Sequence, residues 1–144
     1  MNTLPWQRNP AVNYYPIPKA LCQLGLSPGE IAVYSFLMYC EDRETYQCYP
    51  SYRTIGEAVG MSRNTVRKYV QKLEECGLIR TERTTVTLKD GRKRNGTLLY
   101  TILPPGQAVE QYNRHQLYLV ETAAERHRVQ QKLAAQAEAP RSPL

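Results

Sequence analysis

Residues 61–79 read MSRNTVRKYVQKLEECGLI. Ser62 carries the side chain of a helix N-cap, and Met61 and Val66 have the spacing of a hydrophobic staple. Val66, Val70 and Leu73 recur at four- and three-residue steps, which predicts a helix with one buried stripe and Tyr69 at its edge. Gly77 suits the left-handed position after the helix, and Leu78 is placed to touch Leu73 in a Schellman ending. Arg63, Asn64, Thr65, Arg67, Lys68 and Gln71 crowd the opening turns on the face away from that stripe. A helix built this way docks by its apolar side and offers hydrogen-bonding groups outward from its N-terminal half.

Only Met61 and Ser62 separate this helix from the one before it. Ser51 caps SYRTIGEAV, whose Ile55, Ala58 and Val59 share a face, and Gly60 ends it. Upstream, TYQCY (45–49) reads as a short strand stopped by Pro50. Further upstream, LSPGEI opens another helix: Ser27 is its N-cap, Pro28 takes the first position, Glu30 completes a capping box, and Leu26 and Ile31 form a staple. The following IAVYSFLMYC is apolar on nearly every side, which predicts a central helix ended by Glu41, Asp42 and Arg43. In residues 1–25, Pro5, Pro10, Pro16 and Pro18 forbid a long helix. That segment is expected to be an extended Pro/Tyr-rich arm, with Trp6, Tyr14, Tyr15 and Ile17 packed on the domain.

Downstream the period changes to two. LIRTERTTVTLK and TLLYTIL read as the arms of a hairpin, with Val86 and Leu88 on one face of the first and Tyr100 and Ile102 on one face of the second. DGRKRNG links them. Pro104-Pro105-Gly106 is expected to close the domain. Residues 107–138 hold no Pro or Gly and read as one long helix, and 139–144 as a frayed tail. The expected fold is therefore mostly α with a small β-hairpin: a winged helix-turn-helix over 26–103, followed by a long C-terminal helix.

The chain has 144 residues, 42% of them hydrophobic, and a formal net charge of +6. This supports one modest core and favours an anionic partner. No apolar run is long enough to cross a membrane, and the N-terminus lacks the apolar segment of a secretory signal. Cys22, Cys40, Cys48 and Cys76 form no C-x-x-C pair, and His115 and His127 lie far from them in sequence. Reduced cysteines in a cytoplasmic protein are expected, with no metal site and no cofactor. No nucleophile–base set and no phosphate-cradling glycine loop is visible, so no catalytic residues are assigned and no enzyme is expected. Nothing points to a small-molecule ligand.

In a winged helix-turn-helix the third helix enters the major groove of DNA and presents its first turns to base edges. Arg63, Asn64 and Arg67 fit that role, with Gln71 one turn further. Arginine can bind guanine O6 and N7 in bidentate fashion, and Asn or Gln can bind adenine N6 and N7. Thr65 can meet a base methyl or a phosphate. Ser51, Tyr52 and Arg53 open the second helix, as Ser62 opens the third, where free N–H groups favour a phosphate. Lys68 and Lys72 can reach flanking phosphates. Lys89, Arg92, Lys93 and Arg94 cluster on the wing, placed for the backbone or an adjacent minor groove. A solvated basic face and a soluble hairpin tip are the plain alternatives for these two clusters.

Residues 48–79 resemble the helix-turn-helix core of bacterial winged-helix regulators. Ile55, Ala58, Val59, Ser62, Thr65, Val66, Leu73, Gly77, Leu78 and Ile79 match its pattern. Gly56 departs from it, standing where Ala is usual, and is expected to loosen the second helix. Residues 14–44 resemble the N-terminal winged helix of plasmid replication initiators of the RepA type. These resemblances imply a double-stranded DNA partner and a small bacterial transcriptional regulator. The alternatives are a replication or maintenance protein of a mobile element, or a winged helix used for protein interaction.

Val109, Tyr112, Leu117, Val120, Ala124 and His127 give the C-terminal helix one semi-apolar face. A homodimer joined there is expected; a helix folded back on its own domain is the alternative.

Overall fold

A computed structural model describes residues 14–138. Helix α1 (Pro28–Cys40) is followed by strand β1 (Gln47–Cys48), α2 (Tyr52–Val59) and α3 (Arg63–Glu75). Strands β2 (Ile79–Glu82), β3 (Thr85–Thr87), β4 (Lys93–Asn95) and β5 (Leu99–Ile102) come next, and α4 (Pro105–Glu138) follows. The architecture is a winged helix-turn-helix followed by a long helix.

The helix starts follow the capping chemistry. Ser27 accepts from the Glu30 amide while the Glu30 carboxylate accepts from the Ser27 amide, a complete capping box with Pro28 at the first helical position. Ser51 and Ser62 accept from the amides of Thr54 and Thr65. The helix ends obey glycine: Gly60 takes φ 73° and Gly77 takes φ 79°. The Leu78 amide donates to the Leu73 carbonyl at 3.1 Å and the Gly77 amide to Glu74 at 3.0 Å, the paired bonds of a Schellman motif.

The core is one cluster. Val33, Tyr34 and Leu37 of α1, Ile55 of α2, and Val66, Val70 and Leu73 of α3 are buried against Tyr100 and Ile102 of β5. Gly29 lets α1 approach α3 closely, since a Cβ there would fall against the Tyr69 ring.

Four details differ from expectation. The Pro-rich arm contains a 3₁₀ turn, Lys19–Gln23, and Leu21 and Leu24 belong to the core. Proline excludes a long helix but permits a single turn after Pro18. Within that arm Tyr15 donates to the Ser35 carbonyl at 2.9 Å, Tyr14 and Ile17 are exposed, and Trp6 lies outside the described residues. The strands form two ladders: β1, β5 and β2 make one antiparallel sheet, and β3 pairs separately with β4. Val86 and Leu88, at or beyond the outer ladder, are exposed. Finally, Pro105 and Gly106 open α4 instead of closing the domain, since proline suits the first helical turn.

The chain divides after Val109 into two units. The first contains the elements from the 3₁₀ turn to β5 and the opening of α4; in the second, residues 110–138 are helical. The tail at 139–144 lies outside the described residues.

Candidate nucleic-acid interface

The turn between α2 and α3 is three residues long, Gly60, Met61 and Ser62, and is set by Gly56. The Met61 amide donates to the Gly56 carbonyl at 2.9 Å, and the Met61 carbonyl lies where a Cβ on Gly56 would sit. The departure from the usual Ala therefore lets the turn close over α2; it does not loosen the helix. This closure fixes the angle at which α3 presents its opening turns.

On α3 the stripe of Val66, Val70 and Leu73 is fully buried, and Arg63, Asn64, Arg67, Lys68, Gln71 and Lys72 are exposed. Thr65 is half-buried, its hydroxyl 2.9 Å from that of Ser62. At the far end Glu74 accepts from both the amide and the hydroxyl of Thr81, at 3.0 and 2.8 Å, and ties α3 to β2. Arg63, Asn64 and Arg67 line an open cleft of about 330 Å³ whose other walls come from α2 and the wing.

Tyr52 of α2 lies in that cleft, half-buried. Burial pushes its hydroxyl above the usual tyrosine range; Arg67 draws it down and Glu74 pushes it up. Tyr52 thus keeps its proton and stands beside Arg67 as a neutral hydroxyl. Ser51 is occupied as a cap, sharing a 2.9 Å contact with the Thr54 hydroxyl. Arg53 pairs with Glu57 at 3.0 Å, both side chains about two-thirds exposed. Such a pair is worth at most about 1 kcal/mol, so it holds Arg53 only loosely.

The wing supplies the opposite wall. Thr84 donates to the Thr97 carbonyl, and Gly96 passes so close that a Cβ there would press on the Thr84 hydroxyl. Arg83 and Asn95 line the cleft from this base. In the outer ladder Thr85 faces Asn95, Val86 faces Arg94 and Thr87 faces Lys93. Alternation therefore puts Lys93 on the same face as Asn95, and Arg94 on the other. At the tip Arg92 is held by Asp90 at 2.7 Å, while Lys89, Lys93 and Arg94 are exposed.

The structure thus brings Tyr52, Arg63, Asn64 and Arg67 together and spreads Lys68, Gln71 and Lys72 along the exposed side of α3. Arg83 and Asn95 escape a reading of the sequence. Arg83 looks no different from Arg80, which pairs with Glu82 at 3.6 Å. Three guanidinium groups, of Arg63, Arg67 and Arg83, share the cleft, and among the described residues none is in an ion pair. The cleft is open and cationic and has groups suited to both base edges and phosphates.

Residues 24–79 match the family model of a helix-turn-helix domain. No curated protein matches the chain. Among solved structures it is similar to a possible transcriptional regulator from Methanosarcina mazei Go1, with 20% identity, 79% of this chain and 82% of that one covered, and a TM-score of 0.44. It is also similar to the PcaV transcriptional regulator from Streptomyces coelicolor, with 22% identity, 78% and 77% covered, and a TM-score of 0.39. A third is MepR of S. aureus, solved as a DNA complex, with 16% identity, 81% and 86% covered, and a TM-score of 0.36. With TM-scores below 0.5 these likenesses establish nothing about function or assembly.

Proposed function

We propose that this member, through residues 24–79, of the winged helix-turn-helix DNA-binding family is a sequence-specific double-stranded DNA-binding protein acting as a small, non-enzymatic transcriptional regulator. The observation that carries this reading is the convergence of Arg63, Arg67 and Arg83, with Asn64 and Asn95, in one open cleft between α3 and the wing. In this reading Arg63, Asn64 and Arg67 read bases in the major groove. Gln71 extends the reading by one turn, and Thr65 supplies its methyl. Ser51, Tyr52, Arg53, Ser62, Lys68 and Lys72 hold phosphates on either side, from the two helix starts and the flank of α3. Lys89, Arg92, Lys93 and Arg94 hold the backbone beside the wing, with Lys93 on the cleft side. The Arg53–Glu57 and Arg92–Asp90 pairs are exposed enough to open toward a phosphate.

The reading also takes the protein as a homodimer. Leu117, Tyr118, Val120 and Leu133 are each 59–65% exposed on the second unit. A paired module reads a longer site, with two half-sites about one helical turn apart.

Random-sequence selection with the purified full-length chain tests this function. The expected product is a defined site of two inverted half-sites. Selection that yields no enriched sequence rejects sequence-specific recognition.

A further inference from the structure

A second cavity, of about 300 Å³, lies where the end of α1 meets the end of β5 and the start of α4. It shares no lining residue with the cleft between α3 and the wing. We propose that it is a binding site for a small monocationic molecule with a flat apolar body, an arylalkylamine in class, held by the Glu41 carboxylate and the Tyr34 hydroxyl.

The walls set the size and polarity of the occupant. Met38, Ile102, Leu103 and Pro104 make most of the lining apolar. The volume is at the lower bound of known small-molecule pockets, roughly 300 Å³, which suits a single ring with a short tail. Hydrated and multiply charged groups find no donors in such walls, which excludes phosphates and nucleotides.

Two buried oxygens set the chemistry. Tyr34 is 0% exposed, and among the described residues neither its hydroxyl nor Glu41 Oε2 has a hydrogen-bond partner. Native interiors pair nearly all such groups, and both residues line the cavity, so its wall holds two acceptors that a molecule bringing donors would satisfy. Burial, with Glu41 adding to it, pushes the Tyr34 hydroxyl up to about 12, so it remains a neutral phenol. Burial pushes the Glu41 carboxyl above the usual range and Arg43 draws it down, but among the described residues Arg43 forms no ion pair with it. An ammonium group answers both oxygens at once, with N–H bonds to the carboxylate and to the phenol oxygen. The rings of Tyr34 and Tyr46 add aromatic lining for a cation and a flat body. A bare metal ion fits poorly, because no group of three or more ligating side chains exists among the described residues.

The rim carries backbone strain of the kind found at ligand sites. Tyr46 lines the cavity at φ 58°, and its carbonyl accepts from the Ile102 amide at 2.9 Å. The Leu103 amide in turn donates to the Leu78 carbonyl at 3.0 Å. An occupant therefore touches the segment that joins the sheet to α4.

The test uses amide NMR on the full-length protein with 2-phenylethylamine as the probe, and 2-phenylethanol and phenylacetate as neutral and anionic counterparts. The amine should shift the Tyr46, Ile102 and Leu103 amides with a Kd on the order of 0.1–1 mM, appropriate to so small a ligand. Glu41→Gln should weaken it about tenfold and Tyr34→Phe severalfold, as loss of charged and neutral partners does. Both variants should bind DNA as the unaltered chain does, which keeps this site's outcome separate from that of the DNA cleft. Tyr34→Phe should also leave Tm within about 3 °C, because the hydroxyl it removes has no internal partner. Four results overturn the proposal: no binding of the amine at about 10 mM, ten times the weakest expected Kd; equal or tighter binding of the alcohol or the acid; shifts confined to other residues; or a larger loss of Tm in Tyr34→Phe.

Discussion

The carbonyl of Met61 occupies the space that a side chain on Gly56 would need, and the Met61 amide donates back to the Gly56 carbonyl at 2.9 Å. The α2–α3 turn closes through this contact. Everything that α3 offers to a ligand depends on that closure, because the turn sets the direction of its first two turns of side chains.

Gly56→Ala should therefore destabilise the protein, although Ala favours helix by roughly 1 kcal/mol over Gly. The added methyl meets backbone, which cannot rotate away, and overpacking of this kind typically costs about 1–3 kcal/mol. Thermal unfolding should show a lower Tm, and affinity for the selected site should fall with it. A Tm equal to or above that of the unaltered chain would show that the turn yields easily.

Base readout and backbone affinity should separate by mutation. Ala at Arg63, Asn64 or Arg67 should cost about 1–3 kcal/mol on the selected site and relax its sequence preference. Arg92→Ala and Lys93→Ala should weaken all sequences about equally, Lys93 more than Arg94 because of the strand face it shares with Asn95. Arg83→Ala is expected to weaken binding although it lies on neither α3 nor the wing tip. Fluorescence anisotropy with selected and scrambled duplexes measures each term. Wild-type affinity in all three α3 variants removes the recognition-helix assignment.

Affinity should depend steeply on salt. The basic residues of α2, α3 and the wing can neutralise on the order of five phosphates per protomer, giving a log–log slope of about −4 to −5. A titration from low to physiological salt reads the slope directly. A flat response would point to a winged helix used on proteins.

Self-association should reside in residues 110–138. Mass in solution at tens of micromolar, a range chosen to populate a modest dimer, should be that of a dimer for the full chain and of a monomer for a chain ending at Val109. The truncation must keep Ala108, which is 2% exposed and belongs to the first unit. A monomeric full-length chain with no repeat in the selected DNA rejects the dimer. A dimer that survives truncation moves the interface to the first unit.

Much of this fold is legible in local chemistry. Ser27, Ser51 and Ser62 cap, Gly60 and Gly77 terminate, and the Val66-Val70-Leu73 stripe chooses the buried face of α3, because each of these depends only on neighbours within a turn or two of chain. The outward display of Arg63, Asn64 and Arg67 follows from the same stripe by helical geometry. What the sequence could not determine depends on residues distant along the chain. The reason for Gly56 lies in where Met61 returns, and the exposure of Val86 and Leu88 goes with the pairing of β3 and β4 as a ladder apart from the main sheet. The inclusion of Asn95 in the cleft depends on strand register, which places one side chain inward and its neighbour outward at equal composition, and that of Arg83 on the course of the link between β2 and β3. The unpartnered oxygens of Tyr34 and Glu41 are the furthest case: one looks like an ordinary helix residue and the other like an ordinary helix end until the end of β5 and the start of α4 meet them at one cavity. Local order is fixed by short-range hydrogen bonds and apolar spacing, and the sites are fixed by which of those ordered surfaces the tertiary packing brings face to face.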